Sequence, residues 1–273
     1  MRSKVVMTIV FVLSLTLFAT GKDSNVLMLA TTTSADNTGL LDVLAVELKK
    51  DKGIDLRWTA VGTGKALQLA RDCNADVVLV HDPDSEAKFM AEGYGINRSE
   101  LMYNDFIIIG PKNDPAGIKG KNAAQAFKLI ATKKVFFASR ADKSGTHVLE
   151  LKLWKQAGLS VPEREQWYIE TGQGMLQTIA IAEEKSGYTL TDRATYIKYE
   201  HNMKNNPSLV ILSEKDKAYF NQYSAIEVNP DKCPNVNNKK AREFIKWMAS
   251  PKIQKFIGDY KINGKKLFVP NAK

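Results

Sequence analysis

Short apolar strands alternate with helices along almost the whole chain, and this alternation restricts the fold more than any other feature. Residues 26–30 read as a strand. Residues 38–50 read as a helix with Leu40, Leu41, Leu44, Val46 and Leu48 mostly on one side. An alternating strand at 54–61, a helix at 65–71 and a buried strand at 76–80 follow. A second series begins after the loop 111–120: helix 123–131, strand 135–138, helix 145–157, strand 167–170, helix 174–184, and strands 188–190 and 209–212. Helices at 239–249 and 252–260 close the chain. The pattern predicts an α/β fold with mostly parallel sheets, which bind ligands beyond the C-terminal ends of their strands. Two long extended runs, 103–110 and 223–228, separate the series. They predict two lobes, with the chain crossing over and returning: lobe one at 22–110 plus 224–273, lobe two at 111–223. The cleft between the lobes is then the natural ligand site.

The first residues bear on the compartment. Arg2 and Lys4 precede an uncharged apolar run at 5–18 and the small residues Ala19, Thr20 and Gly21. That order predicts a signal peptide, 1–21, cleaved on export to the periplasm, because the run is shorter than the ~20 apolar residues of a spanning helix. The mature chain of roughly 250 residues suits one large domain or two of about 120. Its excess of positive charge, +9 for the whole chain, is scattered, with Lys and Glu interleaved as at Glu47–Lys50 and Glu183–Lys185. No basic run carries interleaved aromatics, which argues against nucleic acid and leaves a mild attraction for anions. Cys73 and Cys233 suit an oxidising compartment and both fall in lobe one, so a disulfide between them is expected. They are too few and too far apart for a zinc-type site, and His81, His147 and His201 form no ligand pattern. No metal or other cofactor is expected.

Three strand-to-helix turns carry the functional signal: 30–34, 61–64 and 139–146. Helix N-termini hold unpaired backbone N–H groups and partial positive charge, which makes them anion sites. Thr33, Ser34, Thr63, Ser144 and Thr146 add hydroxyl donors, and Gly145 allows close backbone approach. Arg140 supplies a permanent charge and a forked donor set. Each turn alone is an ordinary helix cap. Three together in a bilobal chain point to an anion held in the cleft. No carboxylate pair, Ser-His-Asp set or metal cluster accompanies them, and Ser144 with His147 lacks a base–orienter pair, so no enzyme is expected.

The segment Arg140-x-Asp142-x-Ser144-Gly145-Thr146 resembles the corresponding turn of periplasmic phosphate-binding proteins, where Asp orients the Arg. The mature chain resembles their tungstate-binding relatives more closely. The matching stretches are ATTTSADNTGLLD (30–42), VGTGKAL (61–67), NADVVLVH (74–81), MYNDFIIIG (102–110), SRADKSGT (139–146), TGQGM (171–175) and TDRATY (191–196). The resemblance implies a type II binding-protein fold and delivery of tungstate to the permease of an ABC importer. It also implies that Thr33, Ser34 and Thr63 donate from lobe one, while Arg140, Ser144, Gly145 and Thr146 close from lobe two. Arg193, at a fourth turn, either adds positive potential or forms a salt bridge to Asp192 or Asp142.

Energetics favour a fully charged oxyanion. Hydrogen bonds to a charged group contribute about 1.5–3 kcal/mol each, so roughly six to eight donors can offset the desolvation of a dianion. Phosphate near neutral pH keeps a proton and profits from a carboxylate acceptor. In the phosphate family that carboxylate ends the third strand, two residues before a Pro; in His81-Asp82-Pro83 that place falls to His81, or to Asp82 if the register shifts by one residue. Tungstate, molybdate and sulfate need donors only. The other readings are a phosphate carrier, a molybdate or sulfate carrier, and an exported anion-sensing domain without a transporter. The chain is expected to act as a monomer.

Overall fold

The computed structural model describes residues 25–273; the expected signal peptide lies outside them. The chain opens on β1 (Val26–Thr32), a single helical turn α1 (Thr33–Asp36) and α2 (Leu40–Lys52). It continues as β2 (Asp55–Val61), α3 (Thr63–Arg71), β3 (Val77–Val80) and α4 (Pro83–Ala91). β1 lies between β2 and β3, and both pair with it in parallel. All four residues of β3 are buried, as expected of a central strand covered on both faces.

A long strand, β4 (Gly95–Pro111), then leaves this sheet for another. The second sheet is built by α5 (Ala123–Lys133), β5 (Phe137–Ser139), α6 (Gly145–Gln156), β6 (Tyr168–Glu170), α7 (Met175–Glu184), β7 (Tyr188–Asp192), α8 (Arg193–Asn202) and β8 (Leu209–Ser213). The chain returns along β9 (Phe220–Val228) and ends with α9 (Asn238–Met248), α10 (Pro251–Asp259), a small hairpin of β10 (Lys261–Ile262) and β11 (Lys265–Lys266), and β12 (Val269–Pro270) against β4. The strand order is β2-β1-β3-β9-β4-β7-β5-β6, with β8 also on β4. This is a mixed α/β, two-lobed architecture.

The change of partner is sharp. β4 pairs with β9 through Asp105 and with β7 from Phe106 onwards, while β9 begins at Phe220, opposite Asp105. Pairing therefore passes between sheets at 105/106 and 219/220, where the sequence suggested 110/111 and 223/224. Apolarity alone does not mark the point: Phe106–Ile109 is buried throughout, and nothing in its composition shows which neighbour it pairs with.

Each sheet has an apolar core on both faces. Leu27, Leu44, Tyr223, Phe244 and Phe268 belong to one cluster of the first sheet, and Val78, Phe89 and Ile226 to the other. Phe127, Phe137, Trp154 and Tyr188 fill one side of the second sheet, and Ile107, Ile179 and Tyr196 the other. Burial of each such side chain stabilises by about 1.5–3 kcal/mol, an upper figure for a compact unfolded state. Cys73, just after α3, is bonded to Cys233 in the loop after β9, with 5.3 Å between their Cα atoms. Among the described residues no helix is long and apolar enough to cross a membrane, and no His/Cys/Asp/Glu cluster could hold a metal ion.

Candidate functional site

The three turns singled out in the sequence meet. The turn between β5 and α6 is the most elaborate of them. Ala141 (φ 46°) and Lys143 (φ 60°) adopt left-handed backbone without being glycine, a cost of order 1–3 kcal/mol each that must be offset locally. The offset is visible. The Ala141 N–H donates to Ser139 Oγ at 3.2 Å, the Ser144 N–H to Asp142 Oδ1 at 3.1 Å, and the Lys143 N–H to His147 Nδ1 at 3.1 Å. Ser144 caps α6, its Oγ accepting from the His147 N–H. Asp142 Oδ2 takes Arg140 Nη2 at 2.5 Å, so the same carboxylate folds the turn and aims the guanidinium.

Arg140 then reaches across to the first turn, where its Nη2 also lies 3.4 Å from Thr33 Oγ1. The second turn closes on the same place. A Cβ added at Gly145 would stand 2.9 Å from His81 Cε1 and 3.2 Å from Thr63 Oγ1. One at Gly62 would stand 3.2 Å from Ser144 Cα. Larger residues at either position would hold the turns apart. The turns of the two sheets are thus in contact.

Inside the contact, polar side-chain atoms are left without partners. Among the described residues, Thr63 Oγ1, Arg140 Nε and Thr146 Oγ1 are buried with no hydrogen-bond partner. Arg140 is 2% exposed and the two threonines 1% each. A buried polar group without a partner costs about 1–3 kcal/mol, more if charged. Two of them, Arg140 and Thr146, come from the turn between β5 and α6, and the third, Thr63, from the turn that meets it at Gly145.

The remaining candidates lie behind this cluster. Ser34 is fully buried, and its Oγ sits 3.1 Å from His81 Nε2, 3.0 Å from Thr32 Oγ1 and 3.4 Å from the Tyr223 hydroxyl. His81 Nδ1 is 2.9 Å from Asn221 Oδ1, so both ring nitrogens face protein groups. Burial, reinforced by the nearby Arg140 charge, pushes the His81 pKa down to about 4, and the ring is neutral at physiological pH. Arg193 does not join the donors. Its fork holds Asp105 at 2.6 Å through both Nε and Nη2, and Nη2 also meets Glu214 at 2.8 Å. These partners flank the crossings between the sheets, and neither Asp192 nor Asp142 is among them. Asp192 instead caps α8, accepting from the Thr195 N–H at 2.9 Å and the Thr195 hydroxyl at 2.6 Å. The chain's own carboxylate thus caps the N-terminus of α8.

Sequence reading missed Asn221 and Asn104, opposite each other on β9 and β4 and linked by Asn221 Nδ2 to Asn104 Oδ1 at 2.7 Å. Asn104 was a polar residue inside the run 103–110, while Asn221 lies before the run 223–228, since β9 begins three residues earlier than that run. Ser34, His81 and Asn221 stand in a line that the sequence did not show. They do not form a hydrolytic set. Asn221 supplies no negative charge to stabilise an imidazolium. Open grooves lie elsewhere. One of about 700 Å³ beside Tyr103, Arg193, Phe220 and Val269 is mainly apolar and is remote in character from the donor cluster.

A PBP superfamily domain matches residues 19–252. The chain is 52% identical over 240 residues to the tungstate-binding protein TupA of Campylobacter jejuni, covering 88% of this chain and 89% of that one. It is similar to the solved structure of the tungstate-binding protein TupA from Desulfovibrio alaskensis, at 59% identity and a TM-score of 0.79 over 91% of this chain and 99% of that one. A structure described as the tungstate ABC transporter from Geobacter sulfurreducens matches at 47% identity and a TM-score of 0.77, over 86% of this chain and 98% of that one.

Proposed function

Because the chain belongs to the tungstate-binding proteins of the PBP superfamily, we propose that it captures tungstate in the periplasm and hands it to the permease of an ABC importer. The observation that carries the reading is the set of three unpartnered buried donors, Thr63 Oγ1, Arg140 Nε and Thr146 Oγ1, where three turns of two sheets close together. Thr33, Ser34, Ser144 and Gly145 complete the shell through hydroxyls and backbone N–H groups. Asp142 orients Arg140 and His81 stands behind Ser34. Arg193 is a clasp at the crossings and no ligand. We take the lobes as 25–105 with 220–273 and 106–219, the points at which strand pairing changes sheets. The cleft is complete within one chain, which supports action as a monomer.

The basic start and apolar run at 1–21 support export with cleavage of that segment. The donor set suits an anion without protons. Of the carboxylates nearby, Asp142 is engaged by Arg140 and Asp192 by Thr195.

Calorimetric titration tests the reading. Wild type should bind tungstate far more tightly than phosphate. Thr63→Val and Thr146→Val should each weaken tungstate by about ten- to a hundredfold, the worth of one hydrogen bond to a charged group. Neither substitution should lower the melting temperature of the anion-free protein, because each removes an unpaired buried hydroxyl. Unchanged tungstate affinity in both variants would place the anion elsewhere.

A further inference from the structure

A buried line of side chains runs from the donor cluster to the crossings: Ser34, His81, Asn221 and Asn104. Its heavy atoms lie at hydrogen-bonding separations of 3.1, 2.9 and 2.7 Å. Two proton arrangements fit these positions, because an amide turned by 180° fills the same space with oxygen and nitrogen exchanged.

In one arrangement His81 Nδ1–H donates to Asn221 Oδ1, and Asn221 Nδ2 donates to Asn104 Oδ1. Nε2 then has to accept, and the only proton available to it is that of Ser34. Ser34 is left with nothing to donate into the cleft. Asn104 Nδ2, buried at the far end, has no partner. In the other arrangement both amides are turned. Asn104 donates to Asn221, Asn221 donates to Nδ1, and Nε2–H donates to Ser34 Oγ. The unpartnered group at the far end becomes a carbonyl oxygen, which buried protein tolerates more readily than an N–H. Every bond in the line then points the same way, towards the cluster, and Ser34 keeps its hydroxyl proton for an acceptor.

The surroundings favour the second arrangement. The Tyr223 hydroxyl lies 3.4 Å from Ser34 Oγ, and its ring is tilted by 30° against that of His81 with the centroids 4.7 Å apart. Thr32 Oγ1 lies closer, at 3.0 Å, and either hydroxyl of that pair can donate; with Thr32 as the donor, Ser34 receives from its two nearest partners, His81 and Thr32, and its own proton is left for the cleft. The ring must be neutral for the tautomer to matter. Its burial at 5% exposure, near the Arg140 guanidinium, keeps it so.

We infer that His81 is a positioning residue held by Asn221 and Asn104 in the Nε2–H tautomer, and that this tautomer makes Ser34 a donor to a fully deprotonated oxyanion. The opposite tautomer would turn a Ser34 lone pair towards the ligand, which suits an oxyanion that still carries a proton. Discrimination between tungstate and hydrogen phosphate is on this account partly a matter of where one imidazole proton sits. The donor role rests on the proposed function; the tautomer does not.

The test has two arms. Nitrogen-15 correlation spectra of the imidazoles in wild-type protein, with and without tungstate, read the tautomer directly. A proton on His81 Nε2 and none on Nδ1 is expected, and a proton on Nδ1 overturns the inference. The second arm is a double-mutant cycle of Ser34→Ala and Asn221→Asp at mildly alkaline pH. A carboxylate can only accept, so it draws the ring proton to Nδ1, as in serine hydrolases, and makes Nε2 take the Ser34 proton. In wild type, Ser34→Ala should weaken tungstate about tenfold, the worth of one such donor. In the Asn221→Asp background the same substitution should change affinity by about twofold or less, since Ser34 there no longer donates; the cycle isolates this coupling. Simple repulsion from the added carboxylate would leave the cost of Ser34→Ala equal in both backgrounds, and that result overturns the inference. Should the variant fail to fold, the spectra of wild type still decide the tautomer. Absence of oxyanion binding in wild type would instead sink the proposed function, leaving the tautomer to be read by itself.

Discussion

Arg140→Glu should abolish tungstate binding, with affinity lowered at least a thousandfold. Arg140 is 2% exposed, anchored to Asp142 and in reach of Thr33, and its Nε points at no protein acceptor. Losing its bonds to a dianion costs about 1.5–3 kcal/mol each, and two such bonds already amount to two to four orders of magnitude. Replacing the cation by an anion adds repulsion inside a buried, poorly screened cleft. Arg140→Lys separates charge from geometry. An ammonium keeps the charge but not the planar fork that meets Asp142 and the ligand together, so we expect a loss of about ten- to a hundredfold. Titration of both variants, each checked for a cooperative melt, measures this. Near wild-type affinity in Arg140→Glu would show that the anion does not sit among the three turns.

Removing the disulfide should lower stability strongly and leave binding intact. Cys73 and Cys233 are 160 residues apart in sequence, and their bond ties the end of α3 to the loop after β9. In the chain-entropy model a loop of this length contributes about 5 kcal/mol, an upper estimate because a compact unfolded chain loses less. At a few degrees per kcal/mol for a protein of this size, the Cys73→Ala/Cys233→Ala double variant should melt roughly 10–20 °C lower. The bond lies within one lobe, away from the turns, so tungstate affinity should stay within about threefold of wild type. A melting temperature unchanged by the double substitution would mean that the loop is already constrained in the unfolded state.

Much of the architecture was legible because it rests on local periodicity. Runs such as Val77–Val80 declare buried strands by composition, and the turns at 30–34, 61–64 and 139–146 declare helix starts by their Ser, Thr and Gly. Other elements were silent for physical reasons. α4 (Pro83–Ala91) buries only Glu86 and Phe89, too few apolar positions to show a helical stripe. The first half of β4 carries Asn97, Arg98, Ser99 and Glu100 and shifts register twice against β9, which breaks the period of two. The candidate site divides in the same way. Arg140, Thr63 and Thr146 were readable because short spacing and residue type advertise an anion turn. Asn104 and Asn221 were not, because they meet only through pairing between strands more than a hundred residues apart. His81 was noticed for its place before Asp82-Pro83, but its role depends on partners that only the folded chain brings to both ring nitrogens.

The most direct test of the account is to locate the metal of the bound anion. Crystals of the mature protein grown with tungstate and measured across a tungsten absorption edge yield the tungsten position from anomalous differences alone. The account predicts one strong peak between the turns, with oxyanion oxygens about 2.7–3.2 Å from Thr63 Oγ1, Thr146 Oγ1 and Arg140 Nε. A tungsten peak elsewhere on the protein, with those three donors still unpaired, would contradict it.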